Sequence, residues 1–176
     1  MSQSYRTIKI KKYLDVIIEA KASGAITPGH LVEQTSASTT TVRKHASADT
    51  FAFPMFALED ALQGKGIDDA YATGDQVQVW IPTRGDIVYA LLQDNASVTI
   101  GDKLVSAGDG TLVKSLDTVA SYESVEEGGA PFLAGKDLSF RTIIGVALDT
   151  LDLTVGGGND SSALGSSYPR IRVRIY

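Results

Sequence analysis

The chain has 176 residues, of which 43% are hydrophobic and 21% charged, and its formal net charge is −5. This length and balance are typical of one globular domain and exclude a chain that is disordered throughout. The sequence has no cysteine, which excludes disulfides and thiolate metal sites, and it has no apolar run of the roughly 18 residues that a membrane-spanning helix needs.

The charge is segregated along the chain. Residues 46–165 carry 18 acids and 6 bases, a net −12, whereas residues 1–45 and 166–176 carry 3 acids and 10 bases, a net +7. One interpretation is that both basic ends contact an acidic partner. The other is that they are strand edges, where Lys and Arg prevent unwanted pairing. Nucleic acid is not expected as a partner, because stacking aromatics are not interleaved with the basic residues.

The first third of the chain predicts strands separated by turns. Residues 8–20 alternate in polarity and predict one long strand or two shorter strands. Pro28-Gly29 predicts a tight turn, and the Ser/Thr-rich residues 35–41 predict a hairpin end or loop before a strand at 42–46.

The segment 55–73 is the least strand-like part of the chain. Residues 55–63 could form about two helical turns, which Gly64 would end. Just before and within this segment, apolar bulk is concentrated in Phe51, Phe53, Pro54, Met55 and Phe56. This cluster is either a subunit interface or a plug beneath the core, and the sequence leaves both open.

A Gly-Asp pair followed by an apolar run then recurs at Gly74, Gly85, Gly101 and Gly108. Glycine supplies the positive φ of a turn and the aspartate side chain bonds the backbone, so each pair is expected to start a strand. The spacing is too irregular for a solenoid or propeller and favours short antiparallel strands.

The last third predicts an exposed loop within 115–140, a buried strand at 140–149, a flexible Gly/Ser loop at 156–167 and a strand to the final residue. In that last strand Ile171, Val173 and Ile175 are expected to face inward and the three arginines outward. We therefore predict a mainly β fold, an antiparallel barrel or sandwich of short strands with one short helical or irregular segment and extended terminal arms. Residues 1–23 would be an N-terminal arm or strand, 24–155 the body, and 156–176 the loop and C-terminal strand packed on the body.

Material for catalysis is scarce. The two histidines, His30 and His45, do not accompany a G-x-S-x-G elbow, and Gly64-Lys65-Gly66 lacks the spacing of a phosphate-binding loop. Many acids are present without an EF-hand pattern, so a structural metal in the Gly-Asp loops is left open. We predict that the chain is not an enzyme and has no cofactor. For Trp80 and Tyr89, core packing is favoured over ligand stacking.

Several phrases of the sequence nevertheless resemble a known family. They are the stretches 24–33, 54–77, 80–92, 100–112 and 144–149. Together they are similar to head decoration, or cement, proteins of tailed bacteriophages. The resemblance implies a β-rich virion protein on the outer face of the capsid. Such a protein is often trimeric and stabilises the expanded shell by bridging neighbouring major capsid subunits.

On this basis the expected partners are the major capsid protein and further copies of the chain, with a trimer favoured and no membrane or nucleic acid. Strand addition by residues 1–14 to a neighbouring chain is one hypothesis for the contact. The candidate interface residues are Arg6, Lys9, Lys11, Lys12, Phe51, Phe53, Met55 and Phe56. The alternatives are a fibre or carbohydrate-binding β-sandwich module, an enzyme with dispersed carboxylates, and a tail or head-completion protein of the virion.

Overall fold

A computed structural model describes residues 5–36, 38–48, 50–115, 142–154 and 169–176. The predicted Gly/Ser loop at 156–167 and nearly all of the predicted loop at 115–140 lie outside these ranges. In the described part of the chain no helix is long and apolar enough to cross a membrane.

The regular elements of these ranges are strands and one turn of 3₁₀ helix. The strands are β1 (Lys9–Lys11), β2 (Val16–Ala22), β3 (Val32–Thr35), β4 (Ser38–Lys44), β5 (Phe56–Ala57), β6 (Gln76–Ile81), β7 (Ile87–Leu91), β8 (Ser97–Val98), β9 (Lys103–Ser106), β10 (Leu112–Lys114), β11 (Gly145–Ala147), β12 (Leu151–Asp152) and β13 (Arg170–Ile175). The 3₁₀ turn is Ala61–Gln63. The mainly β fold class is therefore confirmed.

The strands form two main sheets and a small one. The six-stranded sheet has the order β1-β7-β13-β11-β9-β10 and is antiparallel throughout. The five-stranded sheet has the order β3-β4-β2-β6-β5, and its β2–β4 pair is parallel. The third sheet pairs β8 with β12. The pattern at residues 8–20 thus forms two strands, which belong to different sheets.

Strand β6 contributes buried side chains to a core cluster on each of its faces. Trp80 belongs to the larger core cluster, with Val88 and Ile171 of the six-stranded sheet. Val77 and Val79 belong to a second cluster on the opposite face. The larger core therefore lies between the two main sheets. Each fully buried side chain of this size stabilises the fold by about 1.5–3 kcal/mol relative to exposure.

The Gly-Asp pairs build one repeated turn. Gly85 has φ of +94°, the backbone N–H of Asp86 donates to the carbonyl of Thr83 (3.0 Å), and the N–H of Thr83 donates to the Asp86 carboxylate (2.7 Å). The same contacts recur at 72–75 and 99–102. The prediction is confirmed for these three pairs. At the fourth pair the Asp109 carboxylate instead accepts from the N–H of Thr111, two residues ahead (2.9 Å).

The predicted turn at Pro28-Gly29 has the same design, with a histidine in place of the aspartate. Gly29 has φ of +93°, and the N–H of His30 donates to the carbonyl of Thr27 (3.1 Å). The N–H of Thr27 donates to Nδ1 of His30 (2.9 Å). The turn prediction is confirmed, and His30 acquires a structural role in it.

The predicted two-turn helix at 55–63 is wrong. Phe56 and Ala57 are extended and pair with Trp80 and Val79 of β6. Only the 3₁₀ turn remains. It is capped by the Asp60 side chain and ends, as predicted, at Gly64, where φ is +72°. The extended backbone buries Phe56 between the sheets, a gain that outweighs a weak local helix preference.

The C-terminal strand is paired on both sides, with β7 and β11. Ile171, Val173 and Ile175 are buried, as predicted. The prediction that all three arginines face solvent is wrong, because Arg170 is buried. Its guanidinium pairs with Asp68 (2.7 Å) and donates to the carbonyl of Pro28 (3.1 Å). These partners offset the cost of removing the charge from water.

Candidate interaction surfaces

The basic N-terminal residues have contacts within their own chain. Lys9 pairs with Asp15 (3.3 Å), Lys12 pairs with the same carboxylate, and Lys11 lies 5.2 Å from the ring centroid of Tyr13. The hydrogen bond from Lys12 is the main cause that holds the pKa of Asp15 below its usual value. Arg6 is exposed. The basic residues are thus partly compensated before any partner binds.

The structure also changes the strand-addition hypothesis. Strand β1 is already paired with β7 of its own chain, antiparallel with Lys9 opposite Val88. It is the edge strand of the six-stranded sheet, so within the described residues only its outer edge is open to a neighbour. Lysines at such an edge also discourage unspecific pairing.

The structure divides the Phe-rich segment into exposed and buried residues. Phe51 is 74% exposed and Phe53 52% exposed, whereas Ala52 between them is buried. Met55 and Phe56 are buried, in the second and the larger core cluster respectively. As candidate interface residues these last two are wrong, because the fold itself uses them. Phe51 and Phe53 remain on the surface, and we call them the Phe pair.

A buried histidine fixes the loop that carries the Phe pair. Nδ1 of His45 lies 2.7 Å from Oγ of Ser106 on β9, and Nε2 lies 3.2 Å from the carbonyl oxygen of Phe51. A tautomer with its proton on Nε2 satisfies both contacts. In the same hairpin, a Cβ placed on Gly108 would lie 2.6 Å from the backbone N of Ala48, so the loop and the β9–β10 hairpin are in direct contact. The loop backbone at Ala48 and Phe51 is therefore held against the β9–β10 hairpin.

The contact between Ser106 and His45 joins the same two residue types as a catalytic serine–histidine pair. Both side chains are buried, and Ser106 Oγ additionally accepts the N–H of Gly108 (3.2 Å). Glu33 is 3.7 Å from Nε2. A nucleophile must meet its substrate, and here the hydroxyl faces protein. We assign the pair to bracing the loop.

Sequence reasoning missed a second exposed apolar patch, which we call the terminal strip. It consists of Tyr13, Leu14, Val16 and Ile17, all exposed. The backbone N–H of Tyr13 donates to the buried Asp86 carboxylate (2.7 Å), and the Tyr13 ring packs on Gly85. The strip is therefore attached to the β6–β7 turn. The sequence carried a signal for this strip. Within residues 13–18, apolar residues occupy both odd and even positions, whereas one buried face of a strand covers only one of these two sets.

A cleft of about 390 Å³ opens on the face of the six-stranded sheet that is turned away from the larger core. Its described lining includes Tyr5, Tyr89, Ile100, Asp149 and Arg172. Tyr89 and Arg172 are directly opposite each other on β7 and β13. Trp80 is a core residue, as favoured, but Tyr89 is not. It is half-buried and lies edge to face with Tyr5, the ring centroids 5.3 Å apart.

The charged groups of this cleft are paired. Arg172 donates from Nε to the Asp149 carboxylate (3.0 Å), and its guanidinium lies 5.8 Å from the Tyr5 ring centroid. Burial works to raise the pKa of Asp149, but the hydrogen bonds from Arg172 outweigh it and hold that pKa below its usual value. Burial raises the pKa of Tyr89. The cleft thus presents an ion pair and a protonated phenol at neutral pH.

No described residues form a group of three or more histidine, aspartate or glutamate side chains that could hold a metal ion. The carboxylates of the repeated turns instead accept backbone N–H groups. The sequence left open a structural metal in the Gly-Asp loops. At the three matching pairs the aspartate carboxylate accepts a backbone N–H of its own turn, which explains these aspartates without a metal.

Comparisons with known proteins give a likeness among solved structures but none among families or curated proteins. No family model matches the chain, and no curated protein matches it. Among solved structures, the chain is similar to the head fiber gp8.5 N base of bacteriophage phi29, with a TM-score of 0.50 and 14% sequence identity. The match covers 93% of this chain and 95% of the other. At this identity the likeness defines a shared β fold.

Proposed function

We propose that this chain is a structural protein of a tailed-phage virion that binds the outer surface of the head. The observation that carries the proposal is the Phe pair, two exposed aromatic rings on a loop that is braced by the β9–β10 hairpin. Buried aromatic anchors supply much of the energy of protein interfaces, and holding them rigid lowers the entropy lost on binding. The fold likeness to a phage head fiber base and the resemblance to head decoration proteins support the same role.

We further propose that the bound protein stabilises the expanded shell by bridging neighbouring major capsid subunits. A protein that binds only the assembled, expanded shell shifts the equilibrium toward that shell by mass action. Among the described residues, the Phe pair and the terminal strip are exposed apolar groups that would reach different neighbours. The Phe pair is braced by the β9–β10 hairpin, and the terminal strip is attached to the β6–β7 turn.

In this proposal the terminal strip joins copies of the chain. Its four apolar side chains are all exposed, and exposed apolar surface is a mark of interaction sites. The trimer is the state that the resemblance to decoration proteins implies. Light scattering coupled to size exclusion should give a trimer, either in solution or after release from heads. The variant Leu14→Ser should shift it toward monomer, whereas Leu62→Ser should not.

The capsid contact is tested by sedimentation with expanded heads of the source phage that lack this protein. Wild-type chain should sediment with the heads and saturate. The double variant Phe51→Ser/Phe53→Ser should bind at least about tenfold more weakly, because two apolar anchors are lost. Leu62→Ser is the matched control, since Leu62 is 92% exposed and lies in neither patch. Equal binding by the double variant would contradict the role of the Phe pair, and absence of wild-type binding would contradict the proposed function.

A further inference from the structure

The cleft over the paired strands β7 and β13 has the size and the location of a ligand site that the proposed function does not use. Its volume of about 390 Å³ lies within the range of small-molecule sites, roughly 300–1,000 Å³. Tyr89 and Arg172 form its floor as cross-strand neighbours, and the loop at 148–151 with Ile100 forms a wall. The N–H of Ile100 donates to Oγ1 of Thr150 (3.3 Å), which ties the two parts of that wall together.

The charged groups of the cleft argue against an anionic ligand. Arg172 makes several hydrogen bonds to Asp149, and the carboxylate in turn raises the pKa of Arg172. The neighbouring Arg170 is paired with Asp68. An incoming phosphate or carboxylate would have to displace these carboxylates or lie beside them, which costs free energy that a neutral ligand avoids.

The remaining chemistry suits a ligand with one apolar face and many hydroxyl groups. Tyr5 and Tyr89 offer aromatic surface with a polar tip, and Ile100 adds an exposed aliphatic side chain. Beside them, Thr150 has a hydroxyl, whereas the Asp149 carboxylate is occupied by its hydrogen bonds from Arg172. Saccharides present this combination, with C–H groups on one face of the ring and hydroxyls around its rim.

We infer that the cleft between Tyr5, Tyr89, Ile100 and Arg172 binds a neutral saccharide. The site is open, so the affinity is weak, with a dissociation constant on the order of 1 mM. In a virion the many copies of a head protein would turn such weak sites into tight attachment to a polysaccharide surface. This activity is separate from head binding and is measured on the isolated chain.

The test is a chemical-shift titration of the isotope-labelled full chain with three trisaccharides, built from glucose, N-acetylglucosamine and galacturonic acid. At least one neutral trisaccharide should shift the amides of Tyr89, Thr150 and Arg172, and the galacturonate trimer should bind no better. Tyr89→Ala should weaken binding by about tenfold or more. Tyr176→Ala, which removes an exposed tyrosine outside the cleft, should leave binding unchanged.

A second variant keeps the inference testable if Tyr89→Ala fails to fold. Ile100 is exposed, so Ile100→Ser should preserve the fold and still weaken binding several-fold. The inference is overturned if neither neutral trisaccharide shifts these amides, if the galacturonate trimer binds more tightly than both, or if folded Tyr89→Ala and Ile100→Ser bind as well as the wild type.

Discussion

Nδ1 of the buried His30 accepts a hydrogen bond of 2.9 Å from the backbone N–H of Thr27. This contact requires an unprotonated Nδ1, and it occupies the position that a carboxylate occupies in the Gly-Asp turns. Burial is the main cause that lowers the pKa of His30 to about 4, and the charge of Lys44 lowers it further. The turn is therefore sensitive to acid at a single imidazole.

The first prediction concerns pH. The unfolded chain binds a proton at His30 below about pH 6.5, whereas the folded chain binds it only near pH 4. The neutral imidazole thus contributes its full stability above pH 6.5, and this contribution is lost as the pH falls from 6.5 to 4, by up to about 3 kcal/mol. His30→Asn keeps an acceptor but does not titrate, so urea midpoints at pH 7 and pH 4.5 should differ less for it than for the wild type. If the urea midpoint changed equally between pH 7 and pH 4.5 in both proteins, the assignment of this pH dependence to His30 would be contradicted.

The second prediction compares two turn glycines with nearly equal φ. A Cβ on Gly74 would meet no atom within 4 Å, whereas a Cβ on Gly29 would lie 3.1 Å from the carbonyl oxygen of Tyr89 and 3.2 Å from Nε of Arg170. Gly74→Ala should cost about 1–2 kcal/mol from the left-handed backbone alone. Gly29→Ala should cost about 1–3 kcal/mol more, because packed atoms must also move. Urea unfolding measures both, and similar costs would show that the packing around Gly29 yields easily.

The third prediction compares two arginines of β13. Arg170 is buried and binds the exposed Asp68 and the carbonyl of Pro28, whereas Arg174 is exposed. Arg170→Ala should lower the free energy of unfolding by about 1–3 kcal/mol, because the carbonyl of Pro28 loses a buried donor. Arg174→Ala should change it by less than about 0.5 kcal/mol. A small effect at Arg170 would mean that water replaces the guanidinium at no cost.

The fourth prediction links a turn to the terminal strip. Asp86 is buried and accepts from the N–H and hydroxyl of Thr83 and from the N–H of Tyr13. Asp86→Ala leaves these donors unsatisfied and should cost about 3 kcal/mol. It should also accelerate hydrogen exchange at the Tyr13 amide, and the turn at 72–75 should keep its own exchange rates. Unchanged hydrogen exchange at the Tyr13 amide would show that Asp86 does not hold the terminal strip on the β6–β7 turn.

The alternation of apolar and polar residues, together with the Gly-Asp turn motif, predicted much of this fold from the sequence. The alternation at Ile171, Val173 and Ile175 identified a buried face, and Gly-Asp identified three turns whose contacts are local. Local signals reach only a few residues, so they could not show what packs on the opposite face of a strand. That is why Arg170 and Tyr89 were assigned to the wrong environment.

The helix at 55–63 failed for a related reason. The partner of Phe56 is Trp80, 24 positions further along the chain, and pairing at that range overrides a weak local preference. At the candidate surfaces the sequence identified the Phe-rich segment but not its division into exposed and buried residues. That division depends on which side chains pack into the core clusters, as Phe56 does when it pairs with Trp80, and no spacing in the sequence indicates this.

The central claim is that the braced Phe pair attaches this protein to a phage head. The most direct measurement is sedimentation of the wild type, Phe51→Ser/Phe53→Ser and Leu62→Ser with expanded heads of the source phage that lack this chain. The account predicts saturable binding by the wild type and by Leu62→Ser, and binding at least about tenfold weaker for the double variant. Equal retention of all three proteins, or no retention of the wild type, would contradict it.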